Sequence, residues 1–294
     1  MPLWIVALDL RPQAGYKQRM VFLEGKVAVI TGASMGIGEA LASLFAEEGA
    51  SVVLSSRSME RAESARQRIG HQERTIAIEC DVRNREEVER LATGAVRRFG
   101  RIDIWINNAG HGMLDSVAGM DMDACREMFE TNLFGALHGM QVAAAQMREQ
   151  GGGTIINISS VAGHIPLPFS AAYSGTKFAL NAFGRAARME MKKYNINVLT
   201  VCPGFVKTQF GANVAKGREY SQIDAKIKGG ITPERVAQAT LQGYIRRKRQ
   251  VVVPWRDKIF IALYRVSPSL VEYGMRKLMR PSNAEVPDRA AAAE

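Results

Sequence analysis

From residue 26 onward, short β-branched runs alternate with longer segments of helical period, and this alternation restricts the chain more than any other feature. The runs are VAVIT (27–31), SVVLSSR (51–57), TIAIECDV (75–82), DIWINNAG (103–110), TIINISS (154–160), NVLTVCPG (197–204) and QVVVP (250–254). Strands that are apolar at most positions need cover on both faces. The intervening segments are long enough for crossover helices, so the pattern predicts a doubly wound, parallel, seven-stranded α/β sheet. Between the first two runs, Ile37, Leu41, Leu44, Phe45 and Glu48 recur at helical spacing, apolar except at the end, and Gly49 supplies a stop. At 294 residues and 47% hydrophobic, the chain can bury such a core as one domain with an appendage. The expected division is a flexible extension over 1–22, the sheet domain over 23–254 and a basic amphipathic extension over 255–294.

The stretch TGASMGIG, Thr31 to Gly38, falls where the first strand ends and the first helix opens. Gly32 permits a tight turn, Gly36 lets backbone approach a pyrophosphate, and Gly38 lets helix and strand pack closely, while the N–H groups of the helix start face the anion. Ile37 lies inside this turn and is grouped with it. The next strand ends in Ser55, Ser56 and Arg57, without the acid that would bind a free adenosine 2′-hydroxyl. An arginine beside a small hydroxyl suits a 2′-phosphate, so NADP(H) is expected in preference to NAD(H).

The stretch from Asn157 to Leu180, NISSVAGHIPLPFSAAYSGTKFAL, sets Ser160, Tyr173 and Lys177 among small and apolar residues. Two further YxxxK patterns occur, Tyr244 to Lys248 and Tyr273 to Lys277. Residues four apart on a helix share a face, so Tyr173 and Lys177 can meet one ligand. A cation about 4 Å from a phenol in partly screened surroundings is worth roughly 4 kcal/mol, about three pK units, enough to bring a tyrosine towards neutrality. Tyr173 is then a general acid, and Lys177 can also hold the nicotinamide ribose. Ser160 ends a strand thirteen residues earlier and can hold the substrate oxygen. The corresponding positions before the other two patterns are Ile231 and Phe260, which carry no hydroxyl.

Taken together, TGASMGIG, Asp81, NNAG (Asn107 to Gly110), Asn132 in TNLFGA, Ser160, YSGTK and PGFVKT (Pro203 to Thr208) resemble the short-chain dehydrogenase/reductase superfamily in its compact, single-domain branch. The likeness runs from about 24 to 254. It implies a Rossmann fold and hydride transfer between a nicotinamide and a carbonyl compound or secondary alcohol. It further implies that Asp81 and Val82 meet the adenine, that Asn108, Ala109 and Gly110 line the middle of the cofactor, and that Val206 and Thr208 hold the carboxamide. Asn132 would hold a water linking Lys177 to solvent. Met35 departs from the basic residue found in some NADP users, so recognition of the phosphate falls to Arg57 and Ser34. Members commonly form dimers or tetramers, and a homo-oligomer is expected on that ground.

Substrate choice is expected in Gln209 to Ile231 and in the loop from Gly163 to Ala172. His164, Ile165, Pro166, Leu167, Pro168 and Phe169 are mostly apolar, which favours a hydrophobic ketone or aldehyde. Cys80, Cys125 and Cys202 are scattered, and His71, His111, His138 and His164 show no ligand spacing. No metal site is expected, and a reducing, cytoplasmic setting fits best. The first nineteen residues hold an apolar run, Leu3 to Leu8, too short for a secretory core or a membrane span.

The net charge of +10 is uneven, with ten Lys or Arg against two acids between 244 and 280. There Leu270, Val271, Met275, Leu278 and Met279 can share one helical face, in a segment divided at Pro268. Three roles compete: cover for the core or substrate mouth, a subunit interface, or peripheral contact with an anionic membrane. No recognised nucleic-acid-binding module accompanies the charge, so nucleic acid is not an expected partner. A non-catalytic dinucleotide sensor is the rival functional reading, and the complete Ser, Tyr, Lys and Asn set argues against it.

Overall fold

The computed structural model describes residues 21–208, 215–216 and 230–278. The seven expected strands all form: β1 (Val27–Thr31), β2 (Ser51–Ser56), β3 (Thr75–Glu79), β4 (Ile104–Asn107), β6 (Gly153–Ile158), β7 (Ile196–Pro203) and β9 (Gln250–Val253). They make one parallel sheet in the order β3-β2-β1-β4-β6-β7-β9. Two short strands that periodicity could not reveal, β5 (Met113–Leu114) and β8 (Ala215–Lys216), pair with each other apart from it.

Period-two alternation explains why the strands read as continuous apolar runs. Ala28, Ile30, Ile104, Ile106, Ile156, Leu199 and Val201 face α1 (Gly36–Glu47) and α7 (Pro233–Ile245), whose Leu41, Phe45, Val236 and Leu241 complete that layer. Val29, Val53, Trp105, Ile155 and Val198 face the other way, onto α3 (Arg85–Phe99), α5 (Gly135–Glu149) and α6 (Ala171–Glu190). Side chains close the starts of several helices: Ser58 caps α2 (Met59–Ile69), Asn84 caps α3, Asp121 caps α4 (Met122–Phe129) and Thr232 caps α7. No side chain caps α1, the helix that follows the glycine turn.

The chain winds from β1 through β3 to one edge, then crosses back to β4 and proceeds to the other edge. The turns after β1 and β4 therefore leave adjacent strand ends in opposite directions, which opens a crevice at the carboxyl edge. All site residues lie along this edge.

Beyond β9, α8 (Arg256–Val266) and α9 (Pro268–Leu278) are separated near Pro268, as expected. Ile261 of α8 and Val271 and Met275 of α9 bury against Ile165, so these helices cover the loop that leads from Ser160 to Tyr173. Leu270 does not join Val271 and Met275, because its side chain lies on the outer surface, 58% exposed. Met279 and the side chain of Leu278 fall outside the described residues, as do residues 1–20 and most of Gln209 to Ile231. No described helix is long and apolar enough to cross a membrane.

Ile165 is fully buried in that cluster. Ile165→Ala should lower stability in urea unfolding by about 2–4 kcal/mol and speed proteolysis within residues 255–278. Unchanged protection of those helices would show that other contacts hold them.

Candidate active site

The crevice is closed at its base by hydrogen bonds between the first two turns. Asn108 donates from Nδ2 to the carbonyls of Thr31 and Gly32, both at 2.9 Å. Thr31 Oγ1 accepts from the backbone N–H groups of Asn108 and Ala109 at 3.1 and 3.2 Å. Thr31 was not singled out in the sequence, since a threonine at a strand end is an ordinary strand residue until its partners are known.

This proximity explains two glycines. Gly32 has φ +64°, and a Cβ there would stand 2.8 Å from the Ala109 Cα. A Cβ on Gly38 would stand 2.3 Å from the Gly32 carbonyl and 2.5 Å from Asn108 Nδ2. Side chains at either position would force the turns apart. The Thr208 methyl lies 3.3 Å from the corresponding point on Gly36, so Thr208 stands over the glycine turn. Neighbouring Val206 is fixed by a bridge to Ile231. Ile37 is half-buried and packs against the core layer that contains α1 and α7.

Along the crevice, Arg57 is exposed at the end of β2, with Glu127 4.0 Å away. Asp81 forms hydrogen-bonded contacts with Arg83 and is held below the usual carboxylate range: burial opposes the shift, but Arg83 outweighs it and Arg57 adds to it. Val82 is buried, and its carbonyl meets His138 Nδ1 at 3.0 Å. Ser34 offers its carbonyl to Arg68 at 3.2 Å, within a depression that Met35, Arg61 and Ser64 also line. A helix start without a side-chain cap, glycines at 32, 36 and 38 and cationic groups at the β2 end together fit a dinucleotide phosphate.

Ser160, Tyr173 and Lys177 converge at the centre. Ser160 follows β6, where its hydroxyl donates to the Pro203 carbonyl at 3.4 Å and accepts from Ala162 N at 3.1 Å, capping a 3₁₀ turn. It also lies within hydrogen-bonding reach of the Tyr173 phenol. Tyr173 and Lys177 sit one turn apart on α6, with the ammonium 5.6 Å from the phenol ring centre. Lys177 is buried and donates to the Ile158 carbonyl at 3.1 Å.

The electrostatic expectation needs correction here. The Tyr173 phenol is pushed up to about 12 by burial, which outweighs its hydrogen bond with Ser160. Burial also draws the Lys177 ammonium down to about 8. Desolvation is the largest influence on each group, raising the phenol and lowering the ammonium.

Asn132 lies in a π-helical turn, Glu130–Phe134, inserted between α4 and α5. Its side chain accepts from His111 N at 2.9 Å and donates to the His111 carbonyl at 2.8 Å. It also donates to Thr176 Oγ1 at 3.3 Å. A Cβ on Gly110 would stand 3.0 Å from Asn132 Oδ1 and 3.8 Å from Lys177 Nζ, so NNAG, Asn132 and Lys177 share one wall. Thr176, one residue before the lysine and fully buried, was missed because a YxxxK spacing says nothing of the positions between.

The other two YxxxK patterns lie elsewhere. Tyr244, on α7, packs half-buried against the core, and Tyr273 is exposed on α9 with Lys277 stacked 4.6 Å from its ring centre.

Comparison with known proteins shows the family and the fold. The family profile described as short chain dehydrogenase matches residues 26–219. An uncharacterized oxidoreductase of Staphylococcus saprophyticus is 38% identical over 74% of this chain and 89% of its own. A dehydrogenase/reductase SDR family protein 7-like of Drosophila melanogaster is 31% identical over 97% of this chain and 90% of its own. Among solved structures, a short-chain dehydrogenase of Streptomyces avermitilis superposes with a TM-score of 0.75 at 28% identity, covering 86% of this chain and 97% of that one. A short chain dehydrogenase/reductase of Burkholderia phymatum, solved in complex with NAD, has the same fold, with a TM-score of 0.78 at 24% identity over 84% and 95% of the two chains. The uncapped glycine turn, the seven-stranded order and these matches agree: the chain belongs to the short-chain dehydrogenase/reductase family of oxidoreductases.

Proposed function

We propose that the protein transfers hydride between NADP(H) and a carbonyl compound or its secondary alcohol, with a hydrophobic ketone or aldehyde as substrate. The observation that carries this reading is the convergence of the Ser160 hydroxyl, the Tyr173 phenol and the Lys177 ammonium at the centre of the crevice. In this reading Gly32, Gly36, Ile37 and Gly38 hold the pyrophosphate, and Ser34 joins Arg57 at the 2′-phosphate. Asp81 and Val82 flank the adenine, Asn108, Ala109 and Gly110 line the central stretch, and Val206 and Thr208 hold the carboxamide.

When bound, reduced nicotinamide supplies a hydride to the carbonyl carbon. Tyr173 gives its phenolic proton to the substrate oxygen as charge develops there, and Ser160 donates a second hydrogen bond to that oxygen. A phenol raised by burial stays protonated at neutral pH and so is supplied as an acid. Lys177 holds the ribose and stabilises the phenolate that proton transfer leaves behind. Asn132 fixes the wall beside Lys177 and lies on the route by which that proton is replaced. Met113, Cys125, Met128 and Ala172 pack around Tyr173, which supports an apolar substrate. Ile165, by contrast, is consumed by packing under α8 and α9 and offers no substrate contact. Phe178 and Met189, exposed and about 20° apart around α6, support a homodimer or homotetramer.

Tyr173→Phe should lower kcat at least about a thousandfold while leaving NADPH binding within threefold, whereas Tyr244→Phe should leave turnover within twofold. Stopped assays with a panel of ketones and aldehydes would read both. Retained turnover in Tyr173→Phe would refute the assignment, and absence of turnover across the whole panel despite tight NADPH binding would favour a sensor.

Arg57 carries the cofactor preference. Initial rates at equal, low NADPH and NADH should favour NADPH, and Arg57→Asp should reduce that preference at least tenfold. A wild-type preference for NADH would contradict the reading of the β2 end.

A further inference from the structure

Helix α8 has two apolar faces, and the protein covers only one. Ile261 is buried and Asp257 and Tyr264 are half-buried, spaced one turn apart along the side that meets the protein. On the opposite arc stand Trp255, Ile259, Leu263 and Val266, which are 64%, 60%, 42% and 85% exposed. At 3.6 residues per turn these four fall within about 80° of one another. Leu270 and Tyr273 extend the exposed apolar surface onto α9. A helix that is apolar on both sides calls for cover on both, and a contiguous outward stripe marks a contact surface.

The flanks of this stripe are cationic. Lys258 and Arg265 lie to one side of it and Arg256 to the other, while Arg276 and Lys277 follow on α9 and Arg246 to Arg249 precede β9. All of these cations are exposed, and between residues 246 and 277 the only acids are Asp257 and Glu272. A second copy of this chain on the same face would bring cations against cations around the apolar stripe. An anionic bilayer meets both requirements: the stripe enters the acyl boundary, the cations sit among lipid phosphates, and Trp255 and Tyr273 place amphipathic rings at the interface.

We infer that α8 and α9 form a docking face for anionic lipid bilayers. The contact is peripheral, lying in the plane of the membrane surface. Because the inner side of the same helices packs on Ile165, docking sets the loop between Ser160 and Tyr173 beside the bilayer. The inference rests on the outer surface alone and stands apart from the hydride-transfer reading.

The test uses the full chain and vesicles of phosphatidylcholine, with and without phosphatidylglycerol. The protein should sediment with the anionic vesicles, leave them at high salt and ignore the zwitterionic ones. Ile259→Asp with Leu263→Asp, and separately Lys258→Glu with Arg265→Glu, should each lower partitioning at least about tenfold while NADPH binding and turnover of a water-soluble carbonyl stay within twofold. A second readout leaves the stripe intact: in a Trp4→Phe background, brominated phosphatidylglycerol vesicles should quench Trp255, since Trp105 is fully buried. Failure to bind anionic vesicles, or equal binding by both double variants, would overturn the inference. So would a dimer, seen without vesicles, that Ile259→Asp with Leu263→Asp dissociates, because the stripe would then belong to a second copy.

Discussion

Burial of the Lys177 ammonium against the Ile158 carbonyl is the constraint around which the rest of the site is arranged. An ammonium taken out of water loses hydration that few protein contacts replace, so the cation persists only where acceptors are fixed in advance. Here the acceptor is the last carbonyl of β6, held in place by a strand that is itself buried within the sheet. The same dryness holds the Tyr173 phenol in its protonated form. Acid and cation are thus poised by burial first and by each other second.

The sheet order makes such a place available. Parallel strands end at one edge, and the change of winding direction between β1 and β4 leaves room between their turns. Thr31 at the end of β1, Asn107 and Asn108 at the end of β4, Ser160 after β6 and Pro203 at the end of β7 all fall on that edge. A buried chain of hydrogen bonds runs beneath it, from Trp105 Nε1 to Asn107 at 2.8 Å and from Asn107 to Asn157 at 2.9 Å. These bonds tie β4 to β6 at the level of the site and fix the register in which Ser160 follows. Local rigidity of this kind is what a positioned hydroxyl and phenol require.

Features set by local chemistry were readable from the residues: seven apolar runs became seven strands, the glycine turn lies between β1 and α1, Ser160 follows β6, and Tyr173 and Lys177 lie one turn apart on α6. Features set by burial were not. The spacing of Tyr173 and Lys177 correctly placed them on one face of α6, yet it could not show that burial pushes the phenol up and draws the ammonium down. Leu270 fits an apolar face on paper, but the direction in which α9 docks turns it outward. Ile165 reads as a substrate contact in a loop beside the site until α8 and α9 are folded over it. The short β5–β8 pair and the bridging roles of Thr31 and Thr176 depend on contacts between distant segments, and no local pattern announces them.

The most direct measurement is the titration of Lys177 in the ligand-free protein, followed by NMR of lysines labelled at Cε and assigned by the signal lost in Lys177→Arg. A depressed value means that the ammonium is lost as pH rises through the folded-state pKa, well before an exposed lysine would titrate. The account predicts a midpoint of about 8. A midpoint at the ordinary lysine value of 10.5 would contradict it, because the ammonium would then be hydrated and the site not dry.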